Sequence, residues 1–334
     1  MLVVGDVGGT KTRLGLYQEG AQPIPQVEKV YLSSDYPNLE GIVQAFISGP
    51  AASIVQPSKA ETRISRAVFG LPGPVNDGVV KVTNLPWTVS EQVISQALGI
   101  PQVKLLNDLE ATAYGIPFLP PADLHPINDV PPHPTSNKVV IAPGTGLGEA
   151  NLFYHNGHYI ASASEGGHVD FAPRNLFEID LLRYVMEKYG HVSYERMCSG
   201  IGIPHIYDYL LKTSNQAEVP TVAAALQSVE DRTPIIMQAG LKGESPICQQ
   251  TLSAFVSILG SEAGNMALKL LAKGGVYLGG GIPPKILPAL QDGTFMAAFT
   301  DKGRFSAMLA QIPVYVILNE KTALFGAACY ALGL

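Results

Sequence analysis

Two stretches share one pattern of apolar and polar positions. Residues 2–20, LVVGDVGGTKTRLGLYQEG, run as an apolar segment, a turn of Gly and Thr, a second apolar segment and a turn that ends in Gly. Residues 139–157, VVIAPGTGLGEANLFYHNG, do the same, and a shift of 137 positions lays Val3 on Val140, Gly9 on Gly146, Tyr17 on Tyr154 and Gly20 on Gly157. Short apolar runs joined by glycine turns predict two β-hairpins, one opening each half of the chain. Coincidence between two unrelated hairpins is the plainer alternative. Downstream of each hairpin the period changes. Arg66 to Gly70 and Val103 to Asn107 read as short buried strands, and between them Ser90 to Leu98 reads as a helix with Ser90 as N-cap and Gly99 just past its end. Asp108 to Ile116 reads as a helix that Pro117 stops. Residues 120–136, PPADLHPINDVPPHPTS, carry no period and read as a loop or linker before the second hairpin. Further on, a helix is predicted over Leu176 to Tyr189, ended by Gly190. A second opens at Ser245-Pro246 and runs to about Leu271. A strand over Gly275 to Leu278, a glycine turn at Gly279 to Gly281 and another helix follow. The chain closes with a strand over Pro313 to Leu318 and a helix over Glu320 to Leu332. The fold class is α/β, and hairpins inside the sheets make those sheets mixed, flanked by helices.

The length, 334 residues, fits two domains at roughly 100–200 residues each. With 46% hydrophobic and 15% charged residues, each half can bury a core. A net charge of −6 with scattered Lys and Arg offers no basic stripe, which excludes a nucleic-acid partner. Cys198, Cys248 and Cys329 are too few and too far apart for a disulfide framework or a zinc site, and read as reduced thiols of a cytoplasmic protein. Met1 to Asp6 lacks the basic start of a signal peptide. The longest apolar helix is interrupted by Glu262 and Lys269, so no membrane span is expected.

The glycine turns carry the first chemical hint. Gly5 to Thr12 comes near a P-loop, but Thr10 stands where the second glycine is required, and a strand follows where a P-loop needs a helix. Gly144 to Gly148 resembles half of a dinucleotide fingerprint and likewise leads into a strand. Glycine turns between strands have another use: without Cβ atoms, backbone N–H groups can point at phosphate oxygens. One such loop alone reads as a plain turn. Two matched loops, with Gly8, Gly9, Thr10 and Lys11 in the first and Gly144, Thr145 and Gly146 in the second, point to a clasp on a polyphosphate. Asp6 at the edge of the first loop would be repelled by phosphate unless a cation mediates, so it is the candidate to hold Mg²⁺, directly or through water. A turn-capping role is its alternative. Asp108, in the first turn of a predicted helix, is favoured as a carboxylate by the helix dipole and is the best candidate for a general base; plain N-terminal capping by Asn107 and Asp108 is the alternative.

Asp6-Val-Gly-Gly-Thr10 and Pro143-Gly-Thr-Gly-Leu-Gly148 resemble the sugar-kinase and actin ATPase superfamily. Leu106-Asn-Asp108, Glu165-Gly-Gly-His-Val-Asp-Phe-Ala-Pro173, His191-Val-Ser-Tyr-Glu195-Arg-Met-Cys-Ser-Gly200, Phe299 to Phe305 and Ile312 to Tyr315 together resemble the bacterial glucokinase family, in order along nearly the whole chain. The resemblance implies a two-domain actin-like ATPase (ribonuclease H-like) fold with a cleft between the domains. It puts a small domain at 1–110 plus 320–334 and a large one at 111–319. The implied reaction is ATP-dependent phosphorylation of glucose at its 6-hydroxyl, with glucose and ATP as partners, Mg²⁺ as cofactor, and a homodimer as a further expectation. Two departures touch the phosphate loops: Lys11 stands where many members carry Asn, and Pro143 replaces a small residue. The related ROK kinases carry a cysteine-rich zinc motif absent here, so no zinc is expected.

By the same resemblance Asn107, Asp108, Glu165, His168 and Glu195 are the sugar-binding residues, with Asn84 a further candidate in the turn before Pro86. Gly279, Gly280 and Gly281 would lie against the adenosine. Read without the family, His168 would be a core histidine and Glu195 part of a solvated helix face. His155 and His158 flank Asn156-Gly157 and read as surface residues at a hairpin tip. Trp87 reads as packing rather than as a stacking platform. Kinases of other hexoses (mannose, fructose, an N-acetylhexosamine) and a non-catalytic sugar-responsive regulator share this fold and stay open. The regulators add an N-terminal helix-turn-helix, for which a first strand starting at Leu2 leaves no room.

Overall fold

In the computed structural model, which describes residues 1–56, 59 and 62–334, the run from Leu2 to Val7 forms strand β1 (Leu2–Val7). It is apolar at every position but Gly5 and Asp6, because both of its faces are covered. β1 pairs antiparallel with β2 (Lys11–Tyr17), and β2 with β3 (Pro25–Leu32). On its other side β1 runs parallel to β4 (Arg66–Leu71). β5 (Val79–Lys81) and β6 (Thr88–Ser90) make a separate two-stranded ribbon, and β7 (Gln102–Asn107) lies parallel to β4, giving the order β3-β2-β1-β4-β7. Alternation assigns the faces. Leu2 and Val4 pack with Val68 and Leu106 under the helices Asp108–Gly115 and Thr322–Leu332. Val3 and Val7 pack with Ala67 and Phe69 under the helices Leu39–Ser48 and Glu91–Leu98, in a cluster that also takes Trp87, 3% exposed.

This sheet belongs to a compact unit made of Met1–Pro120, His155–Ala163 and Asn319–Leu334. A second unit comprises Pro121–Tyr154 and Ser164–Leu318. Its strands are β8 (Leu124–Pro126), β9 (Lys138–Pro143) and β10 (Leu147–His155). β11 (His158–Ser164) belongs, but for its last residue, to the first unit; β12 (Val276–Leu278) and β13 (Val314–Ile317) complete the strands of the second. β9 pairs antiparallel with β10 and parallel with β12, β12 is parallel to β13, and β13 is antiparallel to β8. The helix Pro246–Leu270, capped by Ser245 accepting from the Cys248 N–H at 3.1 Å, runs through the core with Val139, Ile141, Val276 and Val314.

The two predicted hairpins form, and each leads into two parallel strands. The predicted residue-by-residue repeat does not survive past the turn. Val3 faces Leu16, thirteen positions on, whereas Val140 faces Ala150, ten positions on. The second turn is tighter, so Tyr154 is not the ladder counterpart of Tyr17. Strand β8 is a further correction, because it arises inside the proline-rich stretch read as a loop. It is three residues long at a sheet edge, where Pro126 costs no ladder bond, and it leaves no periodic trace. Asn156 and Gly157 take φ of 48° and 88°, the left-handed pair of a two-residue hairpin turn, with His155 and His158 exposed on either side. Among the described residues no helix is long and apolar enough to cross a membrane.

Candidate active site

In the first unit, β7 hands directly to the helix Asp108–Gly115. Asn107 Oδ1 accepts from the N–H groups of Leu109 (2.9 Å) and Glu110 (3.3 Å), and the Glu110 carboxylate accepts from the Asn107 N–H (3.3 Å), completing a capping box. Asn107 Nδ2 donates to the Gly73 carbonyl at 3.3 Å. The carbonyl end of this side chain is therefore committed to the helix, and one amide hydrogen is left for a ligand. Asp108 is half-buried in the first turn, with Oδ1 2.9 Å from the Leu109 N–H. The helix beneath it is clamped. A Cβ at Gly326 would lie 1.8 Å from the Ala111 carbonyl oxygen, so only glycine lets the helix Thr322–Leu332 seat there.

The first glycine loop hangs on Ser33, which sequence reasoning missed. Ser33 Oγ donates to the Gly8 carbonyl (2.8 Å), its N–H donates to the Thr10 carbonyl (3.0 Å), and Gly8 N–H donates to the Lys11 carbonyl (2.9 Å). Asn84 is exposed beside this loop; a Cβ at Gly9 would lie 2.8 Å from its Cβ. Thr10 and Lys11 are exposed. Asp6 is half-buried opposite Arg13 in the ladder; burial pushes its carboxyl pKa up and Arg13 draws it back only in part. A half-buried carboxylate that is incompletely offset fits a hydrated cation. Among the described residues no three His, Cys, Asp or Glu side chains gather to enclose a metal, so Mg²⁺ would have to keep waters and phosphate oxygens as its other ligands.

In the second unit, Gly144 N–H donates to the Gly146 carbonyl (2.8 Å), Gly200 N–H to the Gly144 carbonyl (2.8 Å) and Ile201 N–H to the Thr145 carbonyl (3.3 Å). Glu195 is half-buried, and its Oε2 accepts from the Leu147 N–H at 2.9 Å. A Cβ at Gly146 would lie 2.3 Å from that oxygen. Glu195 thus braces the second glycine loop and is not on a solvated helix face. Gly146 is a glycine because the carboxylate occupies its side-chain space, a structural reason that needs no ligand. Glu195 N–H also donates to the Gly167 carbonyl (2.8 Å), and His168 N–H to the Glu165 carbonyl (3.0 Å). Glu165 and His168 are exposed on this short turn, so the second unit brings Glu165, His168 and Glu195 to one place.

Gly280 lies against the Pro143 carbonyl, and Gly279 N–H donates to the Ile141 carbonyl at 2.9 Å. Gly144, Thr145 and Gly281 consequently share a cavity of about 680 Å³ with Asp208, Arg232 and Lys285. Arg232 grips Asp208 through two bonds of 2.7 and 2.8 Å. His205 bridges the Arg196 carbonyl (3.0 Å) and the Tyr189 hydroxyl (3.1 Å), and burial lowers its pKa. His205 and Asp208 lie on the helix Gly202–Thr213, Arg232 just before the helix Thr233–Lys242 and Lys285 on a short 3-10 turn, and no motif flagged them.

A family profile described as Glucokinase matches residues 3–333. The chain belongs to the glucokinase family. A glucokinase of Nostoc punctiforme is 41% identical, with 99% of this chain and 98% of the relative covered. The crystal structure of a glucokinase from an Antarctic psychrotroph superposes with a TM-score of 0.84 at 29% identity, covering 100% of this chain and 99% of that one. A Balamuthia mandrillaris glucokinase, solved in complex with glucose, shares the fold at a TM-score of 0.78 and 22% identity, over 100% of this chain and 93% of its own. The glucokinase-family chain has the α/β, mixed-sheet architecture of the actin-like sugar kinases.

Proposed function

We propose that this chain is a glucokinase that transfers the γ-phosphoryl group of ATP to the 6-hydroxyl of glucose. The observation that carries the reading is the end-to-end family match in a chain that sets Asp108 in the first turn of a capped helix. Phosphoryl transfer asks the protein for positioning, charge neutralisation and a proton acceptor. Asp108 takes the proton of the sugar hydroxyl as its oxygen bonds to the γ-phosphorus, while the bond from that phosphorus to the β,γ-bridging oxygen breaks and ADP leaves. The free amide hydrogen of Asn107, with Glu165, His168 and Glu195, fixes the hydroxyls. The backbone N–H groups of both glycine loops face the phosphates, and the cavity beside Thr145 and Gly281 takes the nucleoside. Bound Mg²⁺, with Asp6 to hold it through water, would neutralise phosphate charge.

A coupled assay over a panel of hexoses, run with ATP, ADP and polyphosphate as donors, tests this reading. Glucose with ATP is expected to give the highest kcat/KM. Turnover of no hexose with any donor, by a folded protein, would refute it; preference for mannose, fructose or an N-acetylhexosamine would move the substrate within the class.

A further inference from the structure

Glu149 has no part in the reaction above, yet it sits between the second glycine loop and the turn that carries Glu165 and His168. It is the third residue of β10, directly after the second glycine loop, and is 4% exposed. Its Oε2 lies 1.9 Å from the point where a Cβ would stand on Gly166. A Cβ on Gly167 would meet the Leu147 carbonyl oxygen at 2.1 Å. The turn carrying Glu165 and His168 therefore rests, through two bare glycines, on Glu149 and on the last backbone of the phosphate loop. Glu149 Oε1 is buried and has no hydrogen-bond partner among the described residues. A buried orphan oxygen of this kind is tolerable on a neutral carboxyl and costly on a carboxylate.

We infer that Glu149, in its uncharged form, is a positioning residue that seats the sugar-binding turn Glu165 to His168 on the phosphate loop, so that its ionisation weakens hexose binding and leaves the chemical step alone. The inference rests on the sugar-kinase reading. The surroundings agree with it. Burial, and then the charge of Glu262, push the Glu149 carboxyl up to about 8, with Lys269 opposing. Glu262 and Lys269 belong to the helix Pro246–Leu270; Glu262 is 0% exposed and its Oε1 is 3.9 Å from Lys269 Nζ. From the segment after the sugar turn, Tyr194 and Cys198 face the same acids and are held neutral, both pushed up by burial first and by Glu262 next. On the turn itself, Glu165 is the nearest carboxylate in sequence. The folded pKa of Glu149 exceeds its unfolded value, so the neutral form prevails at pH 7 and gives way as pH rises through about 8.

The test is the hexose KM and kcat of the intact enzyme from pH 6.5 to 9. Loss of one proton predicts a KM about tenfold higher at pH 9 than at pH 7, with kcat changed less than about twofold. Glu149→Gln, which cannot ionise, is expected to keep a flat hexose KM over the range. Glu262→Gln removes the charge that raises Glu149 and is expected to move the onset to lower pH. The steric half is tested by Gly166→Ala, which should raise hexose KM roughly tenfold or more, and by Gly166→Ala with Glu149→Ala, which should recover most of that loss. An alkaline rise that persists in Glu149→Gln, a wild-type KM flat to pH 9, or a double variant no better than Gly166→Ala overturns the inference. Each of these outcomes presupposes a wild type that phosphorylates hexose; a wild type inactive on every hexose sinks the kinase reading instead.

Discussion

The two glycine loops share a hairpin and a sheet order, yet they are held in opposite ways. The loop of the first unit hangs on a neutral hydroxyl, Ser33, and carries its own carboxylate, Asp6, on the adjoining strand. The loop of the second unit contains no carboxylate; Pro143 stands at its entrance, and an outside one, Glu195, is inserted against Gly146 and bonded to Leu147. The same duplicated backbone thus recruits charge from within on one side and from another segment on the other. A loop with its own half-buried acid suits a cation. In the proposed reaction Glu195 also binds the sugar, so its bracing of the second loop would tie nucleotide geometry to sugar geometry. The difference gives each support its own signature: loosening the first loop should move the KM for ATP alone, and removing Glu195 should move the KM for both substrates.

The largest effect expected is from Asp108→Ala in the first unit. Loss of a positioned base costs roughly 10²–10⁴-fold in kcat. Hexose binding, measured by calorimetry or by intrinsic fluorescence of Trp87, should persist. A variant that keeps turnover while folded removes Asp108 from the chemistry. Next in size is Glu195→Ala. It removes a charge-assisted bond worth about 1.5–3 kcal/mol, a factor of roughly 10–100. Because the same carboxylate braces the phosphate loop, the KM values for hexose and for ATP should both rise, whereas a residue that served the sugar alone would move one. Unequal movement, with ATP KM unchanged, would break the proposed tie between the sites.

Much of this was legible in the sequence, and the reasons differ by residue. β1, β4 and β7 were visible as apolar runs because both faces of their sheet are buried. The helix Pro246–Leu270 was visible because Ser245-Pro246 is a start signal with a mechanism. The glycine loops were visible because glycine marks close approach. The helices Gly202–Thr213 and Thr233–Lys242, which line part of the cavity beside Thr145 and Gly281, were not. Neither opens on a side-chain cap, their first residues following Ile201 and Arg232, so no capping signal marks their starts. Glu195 was readable only through family resemblance, since nothing local shows that its partner is a backbone N–H 48 positions away. Ser33 and Glu149 were missed for the same reason: Gly8 and Gly166, which they meet, are distant in sequence, and one serine in a turn or one glutamate in a strand carries no signal. The hairpin repeat was half right, because sequence matching cannot see that the second turn closes tighter.

Ser33→Ala gives the smallest effect and the sharpest test of the contrast between the loops. Ser33 Oγ donates to the Gly8 carbonyl and meets Thr12 Oγ1 at 3.0 Å, in a site where Ser33 and Thr12 are both 0% exposed. Removing the hydroxyl leaves Gly8 with an unsatisfied carbonyl, a loss of about 1 kcal/mol, or roughly fivefold in an equilibrium constant. The backbone bond from Ser33 N–H to the Thr10 carbonyl survives the substitution, so the loop should loosen without collapsing. Because this loop has no carboxylate in common with the sugar residues, ATP KM is expected to rise about fivefold while hexose KM stays within about twofold. That is the opposite of the joint rise expected for Glu195→Ala. Steady-state titration of each substrate at saturating levels of the other measures both. Equal rises for Ser33→Ala would show that the first loop is tied to sugar binding without Glu195, and the division of labour drawn from the different supports would be wrong.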